Sequence, residues 1–517
     1  MSKLKKLVGQ TVIYGASSII GRFLNYMLTP LFTYDKIFTV DQFGIITEMY
    51  AYVAFLVVML TYGMETTYFR FSSLKDEDSA KVYKNALTAL SVTTGAFILS
   101  AIVFAQDIAN WLKYPEHSEY VIWFAIIVGL DALGSIPLAR LRRENKAKKF
   151  ALVNLVNIGV FITANLFFLV YCRINYPDNS NWLIDLVYNP EIGVGYVFIS
   201  NLLASLVKFS LLIPELKIKF GVDKDLLLRM LKYTYPLFFV GIAGIINETL
   251  DRTMLKEMLY NQNIRDGYDS AKALIMAQTE LGIYGANYKI TMIIAMAIQA
   301  YRYAAEPFFF KEEKNKNSKK TYALIMNYFV IVVSFMFLAI ALNLQIFRYF
   351  TQSKAYWVGL SVVPILLFAN LSLGIYYNQS IWYKLSNRTI FGAFISIMGA
   401  IITIVINYLY IPEYGYMASA WATLICYLSM LIVSYFLGQK YYPIPYNLRK
   451  IALYIFSALA LFFLRYRQDL TGDFSWAVFA YHSFLILLFI ALVVFLEQNS
   501  IKRALPNSIR KKLKFLK

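Results

Sequence analysis

Three basic residues stand inside long apolar runs of this sequence: Arg22, Lys208 and Lys289. None has an acidic residue three or four positions away, so none is neutralised along its own helix. A charge at the centre of a bilayer span costs roughly 2.5–3.5 kcal/mol on insertion scales, and such residues usually face a cavity or a partner. The partner must come from another helix, from lipid or from a bound anion. Arginine matches phosphate bidentately and lysine meets it as a point charge. Cations at this depth therefore point to an anionic ligand.

Acidic residues share the same runs: Glu48 and Glu65, then Asp131, then Glu248 and Asp251 beside Asn247. Two readings stay open for them, proton or sodium sites and counter-charges for the cations. Arg302 and Glu306 are spaced i,i+4 near a helix end, which suits a local pair as well as a gate. Arg22 also belongs to a stripe. Thr11, Gly15, Ser18, Arg22, Asn25 and Thr29 recur every three or four residues, one helical face. Such a stripe reads as the wall of a water-filled cavity or as a tight seam in which Arg22 meets a carboxylate. Asn201, Ser205 and Lys208 form a shorter stripe of the same kind.

The elements that hold these groups are membrane spans. The 517 residues are 59% hydrophobic and 17% aromatic, too apolar for a soluble surface at this length. A span needs about 20 apolar residues. The sequence offers fourteen, near 7–33, 43–69, 83–107, 119–139, 150–172, 193–214, 230–250, 281–308, 322–346, 356–382, 389–410, 416–438, 449–465 and 475–496. The formal charge of +19 lies in short clusters between spans, as in cytoplasmic loops, and does not argue for nucleic acid. With the N-terminus inside, inner segments such as 140–149 and 311–320 carry about 35 Lys and Arg against about 11 outside, which predicts both termini in the cytoplasm. Outer loops are short, the longest expected at about 251–280. No GxxxxGK[ST] phosphate loop is present. Cys172 and Cys426 fall in apolar runs, and His117 and His482 are scattered, so neither a metal site nor a disulfide framework is expected.

Two echoes suggest a duplication. DQFGIITEMYAYVA (41–54) resembles ELGIYGANYKITMI (280–293), and NPEIGVGYVFISNLLASL (189–206) resembles IPEYGYMASAWATLICYL (411–428). Both link a span to the sixth after it. The expectation is an all-α polytopic protein of about fourteen spans: a lobe at 1–220, a second at 221–440, and two further spans with a basic tail at 441–517.

These motifs carry a resemblance. Gln42-Phe43-Gly44, Asp251-Arg252, Leu281-Gly282-Ile283-Tyr284 with Ala286 and Lys289, and Pro412-Glu413-x-Gly415 followed by Ala418, Ala420 and Thr423 make the chain similar to polysaccharide flippases of the MOP superfamily. Those are the Wzx-like O-antigen and capsule exporters, related to lipid II flippases. The resemblance implies two six-helix lobes around a central cavity that opens alternately to each side of the bacterial cytoplasmic membrane. It implies an undecaprenyl-diphosphate-linked oligosaccharide as substrate, membrane lipid and other glycan-assembly proteins as partners, no cofactor, and Na+ or H+ as coupling ion. In the lipid II relatives, arginines of spans one, two and eight meet the diphosphate. Arg22 matches the first, span two lacks a mid-membrane arginine, and Lys289 or Arg302 stands for the third. The expected substrate contacts are Arg22, Asn25, Ser18 and Lys208 from the polar stripes, with Lys289 or Arg302 added by the resemblance. Ion coupling or gating is expected of the span carboxylates Glu48, Asp131, Glu248, Asp251 and Glu306, and the resemblance makes Asn247, Asp251 and Thr423 equivalents of the relatives' cation ligands.

Two other classes fit the sequence less well. A multidrug antiporter of the same superfamily would want a cavity dominated by acids and aromatics, against which Arg22 and Lys208 argue. A membrane glycosyltransferase or O-antigen ligase would need catalytic groups on sizeable outer loops, and these loops are short.

Overall fold

The computed structural model describes residues 19–504 except 75, 217–220, 314, 387 and 466–473. Thr11, Gly15 and Ser18 of the predicted stripe lie outside the described residues. Among those described, every regular element is a helix. Among the described residues twelve stretches are long and apolar enough to cross a membrane, and each coincides with a predicted span. Of the other two predicted spans, the first begins among undescribed residues and the thirteenth is a 16-residue helix, Leu448–Phe463. Large apolar side chains face outward along these helices. Val92, Leu99 and Val103, all on one helix, are each about two-thirds exposed, a surface that only lipid would cover favourably.

The chain forms two compact units that do not follow chain order. Of the described residues, one holds those up to Lys289 together with Ala393–Cys426; the other holds those of Ile290–Gly392 and from Tyr427 on. The first contains α1 (19–26), α2 (Thr29–Phe32), α3 (Val40–Thr61), α4 (Met64–Phe71), α5 (Ser79–Val103), α6 (Ala105–Trp111) and α7 (Ser118–Arg143). It continues with α8 (Ala147–Leu166), α9 (Arg173–Asn175), α10 (Trp182–Val187), α11 (Gly195–Leu216), α12 (Lys224–Arg265) and the first half of α13 (Ser270–Glu312). The second has the rest of α13, then α14 (Ser318–Leu342), α15 (Leu344–Phe347), α16 (Val362–Gln379) and α17 (Ile381–Leu385). The helices α18 (Ile390–Tyr414) and α19 (Tyr416–Tyr441) pass between the units in sequence, and α20 (Leu448–Phe463) and α21 (Trp476–Ala504) complete the second.

Three departures from the expected spans have local causes. The first span is not one helix. Its chain turns at Met27-Leu28 and restarts with Pro30 at the head of α2, where a fixed φ and a missing N–H are tolerated. Thr29 is consequently buried, whereas Arg22 and Asn25 are exposed. The second span breaks between α3 and α4 at Tyr62 and Gly63, both in the left-handed region (φ 33° and 79°), a conformation glycine adopts without penalty. The expected loop at 251–280 is mostly helix: α12 runs on to Arg265 and α13 starts at Ser270. Hydropathy marks where the lipid ends, and these helices continue past it.

Within the first unit α3 and α13 cross at glycines. An added Cβ on Gly44 would lie 2.1 Å from the Gln278 carbonyl oxygen, and one on Gly282 2.1 Å from that of Val40. The two glycines that the duplication equates therefore meet at one crossing, backbone against backbone.

Candidate functional site

Because successive spans alternate direction, Glu48 lies toward the end of the first unit opposite the basic 140–149 segment. There the helical run past the apolar end of α12 brings Lys256 against it. Both side chains are fully buried (0% exposed), with Lys256 Nζ 3.1 Å from Glu48 Oε1. Removing two charges from water is costly, and such a pair persists only when its remaining hydrogen bonds are made. The connection after α6 supplies several of them. Tyr114 Oη donates to Glu48 Oε2 at 2.6 Å, and Lys256 also donates to the Leu112 carbonyl at 3.0 Å. Gln278 of α13 donates to Tyr114 Oη at 3.1 Å. Glu257 accepts from Lys256 at 3.1 Å and pairs with Lys113. Burial, reinforced by the neighbouring Glu48 carboxylate, holds the Tyr114 hydroxyl well above its usual pKa, so it remains a donor.

Sequence reasoning identified Glu48 and missed Lys256, Tyr114 and Gln278. A signal for Lys256 exists. Glu248, Arg252 and Lys256 recur every four residues, a helical repeat running on beyond the apolar run.

One helical repeat nearer the membrane centre lies a second group. Asp251 is buried and accepts from Tyr284 Oη at 2.6 Å. Arg252 donates to the Glu248 carbonyl at 3.0 Å and stacks 4.3 Å over the Tyr288 ring. Glu248 itself is exposed. Lys289, half-buried, lies near enough to Arg252 for the two like charges to interact. Among the described residues Lys289 has no hydrogen-bond or ion-pair partner, and no carboxylate lies within ion-pair distance of Arg252. Asp251 and Glu248 act on Arg252 electrostatically, so Lys289 is the cation of the two that an anion would neutralise. Arg252 was legible only as part of a motif.

Further along α12 and its neighbours, Asn247 is buried and donates to the Ser396 carbonyl of α18 at 3.1 Å, while Cys426 of α19 approaches its Oδ1 at 3.7 Å. Thr423 turns back onto the Ser419 carbonyl at 3.0 Å.

The remaining expected residues divide among separate pairs. Lys208 meets Asp131 of α7 at 2.9 Å, joined by Ser205 at 3.4 Å. The partner of Lys208 thus comes from another helix. Arg22 and Asn25 project from α1 as exposed side chains. In the second unit Glu306 pairs with Lys384 and lies 3.9 Å from Arg302, whose guanidinium stacks 3.8 Å over Tyr377. At the 140–149 end of the first unit, Glu65 pairs with Arg142, and Glu215 receives Lys149 at 2.7 Å and Arg140 at 3.9 Å.

A family model described as polysaccharide biosynthesis protein matches residues 7–312, more than half of the chain. Among solved structures the chain is similar to a lipid II flippase MurJ in an inward closed conformation, over 93% of this chain and 99% of that one, with a TM-score of 0.62 and 14% identity. It is similar, over 86% and 95% of the two chains, to an inward-facing multidrug resistance MATE family transporter of the MOP superfamily (TM-score 0.54, 14% identity). A MOP superfamily transporter from Pyrococcus furiosus is similar over 83% and 95%, with a TM-score of 0.50 and 14% identity. Likeness at these identities speaks for the fold. No curated protein matches the sequence. The chain belongs to the polysaccharide biosynthesis protein family, with the fold of the MOP superfamily transporters.

Proposed function

We propose that the protein is a flippase that moves an undecaprenyl-diphosphate-linked oligosaccharide from the inner to the outer leaflet of the bacterial cytoplasmic membrane. The observation that carries this reading is Lys289, a half-buried cation within electrostatic reach of Arg252 and without an ion-pair partner among the described residues. A diphosphate would supply the missing charge, bidentate at Arg252 and point-like at Lys289. Arg22, exposed on α1 with Asn25, is proposed as the contact of the first lobe. The prenyl tail stays in lipid while lobes 1–220 and 221–440 rock about the bound head, and no covalent chemistry is involved. The Glu48–Lys256 pair joins the two proposed lobes and serves as the gate on the outer side. A Na+ or H+ gradient biases the return step, with Asp251, Asn247 and Thr423 as the groups it would engage. The charge of the loops supports a cytoplasmic position for both termini.

A drug-cation antiporter would need carboxylates ready for a cationic guest. Of the six carboxylates expected in the spans, Glu48, Asp131 and Glu306 are paired with lysine and Glu65 with arginine, which favours the anionic substrate.

The test is transport of a polyprenyl-diphosphate oligosaccharide in proteoliposomes. A charge-assisted contact is worth about 1.5–3 kcal/mol, so Arg252→Gln and Lys289→Gln should each weaken apparent substrate affinity by about tenfold to a hundredfold. Lys208→Met with Asp131→Asn should leave affinity nearly unchanged. Wild-type rates in the Arg252→Gln, Lys289→Gln double variant would overturn the assignment.

A further inference from the structure

The connection between α8 and α11 presents an apolar face that the transport reading does not use. Beyond its regular turns α8 continues through a π-helical turn, Phe167–Cys172, into α9, at the end opposite the basic 140–149 segment. The chain re-enters a span at Gly195, so the intervening residues lie close to the membrane boundary. Within them α10 carries Trp182, Leu183, Leu186 and Val187, spaced i, i+1, i+4 and i+5 on one helical face. Trp182 is 76% and Leu186 73% exposed, with Ile174 of α9 at 74%.

That exposure is built in, because the opposite side of the segment is fixed. Ile184 is fully buried. Asn181 Oδ1 caps the helix, accepting from the Leu183 and Ile184 N–H groups at 3.1 Å each. A column of rings ties the connection back to the spans: Tyr176 to Tyr188 at 5.6 Å, Tyr188 to Tyr196 at 5.1 Å, and Tyr196 to Phe168 at 4.7 Å. Tyr196 Oη accepts from the Asn189 N–H at 2.6 Å, and Arg173 donates to the Ile37 carbonyl at 2.8 Å. A loose loop would turn its tryptophan inward. Here the framework holds Trp182 and Leu186 out.

We propose that α10 is an interfacial anchor whose Trp182–Leu186 face lies in the headgroup–acyl boundary of the adjacent leaflet, with membrane phospholipid as its partner. Two spans deliver the helix to that depth, and tryptophan and tyrosine favour this zone because one end of the ring is apolar and the other wet. The polar Asn181 and Asp185 flank the face and stay hydrated. Seated in this way, α10 fixes the depth of α8 and α11, and it does so whatever the substrate is.

The experiment uses the full chain with Trp182→Cys, Leu186→Cys or Asp185→Cys. The native Cys172 and Cys426 are buried, so an environment-sensitive fluorophore labels the new thiol selectively. In phosphatidylglycerol–phosphatidylcholine vesicles, labels at 182 and 186 should emit at shorter wavelength than the label at 185. Shallow spin-labelled lipid should quench them severalfold more strongly. Water-like emission at 182 and 186, or equal quenching at all three, would overturn the proposal and leave the face to a protein partner. A second measurement needs no label: brominated phosphatidylcholine should quench wild-type tryptophan emission more than that of Trp182→Phe, and identical quenching would contradict the anchor.

Discussion

Replacing Lys256 by methionine is expected to lower stability by about 3–5 kcal/mol, the usual cost of leaving one member of a buried ion pair uncompensated. Glu48 would keep the Tyr114 hydroxyl at 2.6 Å but lose the only cation within reach of it among the described residues. The neighbouring Glu257 keeps its own pairing with Lys113, so the deficit falls on Glu48. The double variant Lys256→Met, Glu48→Gln should regain most of the loss, because replacing both charges by neutral groups of similar size is often close to neutral. Thermal unfolding in detergent, run as a double-mutant cycle, measures the difference. Tyr114→Phe removes one hydrogen bond to a charged acceptor and should cost about 1.5–3 kcal/mol. If Lys256→Met unfolds at the wild-type temperature, or the double variant is no better than the single one, the pair does not hold α3 to α12. The same cycle bears on transport. If the pair is the outer gate, the neutral double variant still folds but spends more time open on that side. A thiol-specific, membrane-impermeant reagent should then modify Gln278→Cys, which replaces a residue only 4% exposed, faster in the double variant than in the wild-type background.

How much of this was legible in the sequence depends on range. The spans were, because about 20 apolar residues in a row identify themselves without a partner. Long-range pairing was not. Lys208 lacked an acid on its own helix, and nothing along the chain indicated that Asp131, 77 residues away, would meet it at 2.9 Å. Glu48 was recognisable as costly in lipid, but its counter-charge stood in a stretch read as loop. A hydropathy window stops at the lipid boundary, whereas the hydrogen-bonded ladder of α12 continues to Arg265. Arg22 shows the opposite error. Its spacing joined it to Thr29 on one ideal helix, and the turn at Met27-Leu28 with Pro30 behind it divides that face.

Gly44→Ala and Gly282→Ala should each be severely destabilising, although both add a single methyl group to a helix. In an open helical position the same change is favourable by roughly 0.5–1 kcal/mol, since glycine loses more freedom on folding. Gly95 of α5 is such a position, with nothing within 4 Å of an added Cβ, and Gly95→Ala should match or exceed wild-type stability. At Gly44 the methyl would fall 2.1 Å from the Gln278 carbonyl oxygen, and at Gly282 2.1 Å from that of Val40 and 3.2 Å from the Gly44 nitrogen. Those neighbours are backbone and cannot swing aside, so α3 and α13 must separate by about 1.5–2 Å to restore ordinary contact near 3.5–4 Å. Overpacking costs about 1–3 kcal/mol where side chains can adjust, and a backbone clash should reach or pass the top of that range. The strain would travel further, because Gln278 donates to Tyr114, which donates in turn to Glu48. Gly44→Ala should therefore weaken the Glu48–Lys256 region as well as the crossing, and its effect should be less than additive with Lys256→Met. Strict additivity would separate the crossing from the ion pair, and wild-type stability in Gly44→Ala would mean that α3 and α13 do not approach at that glycine.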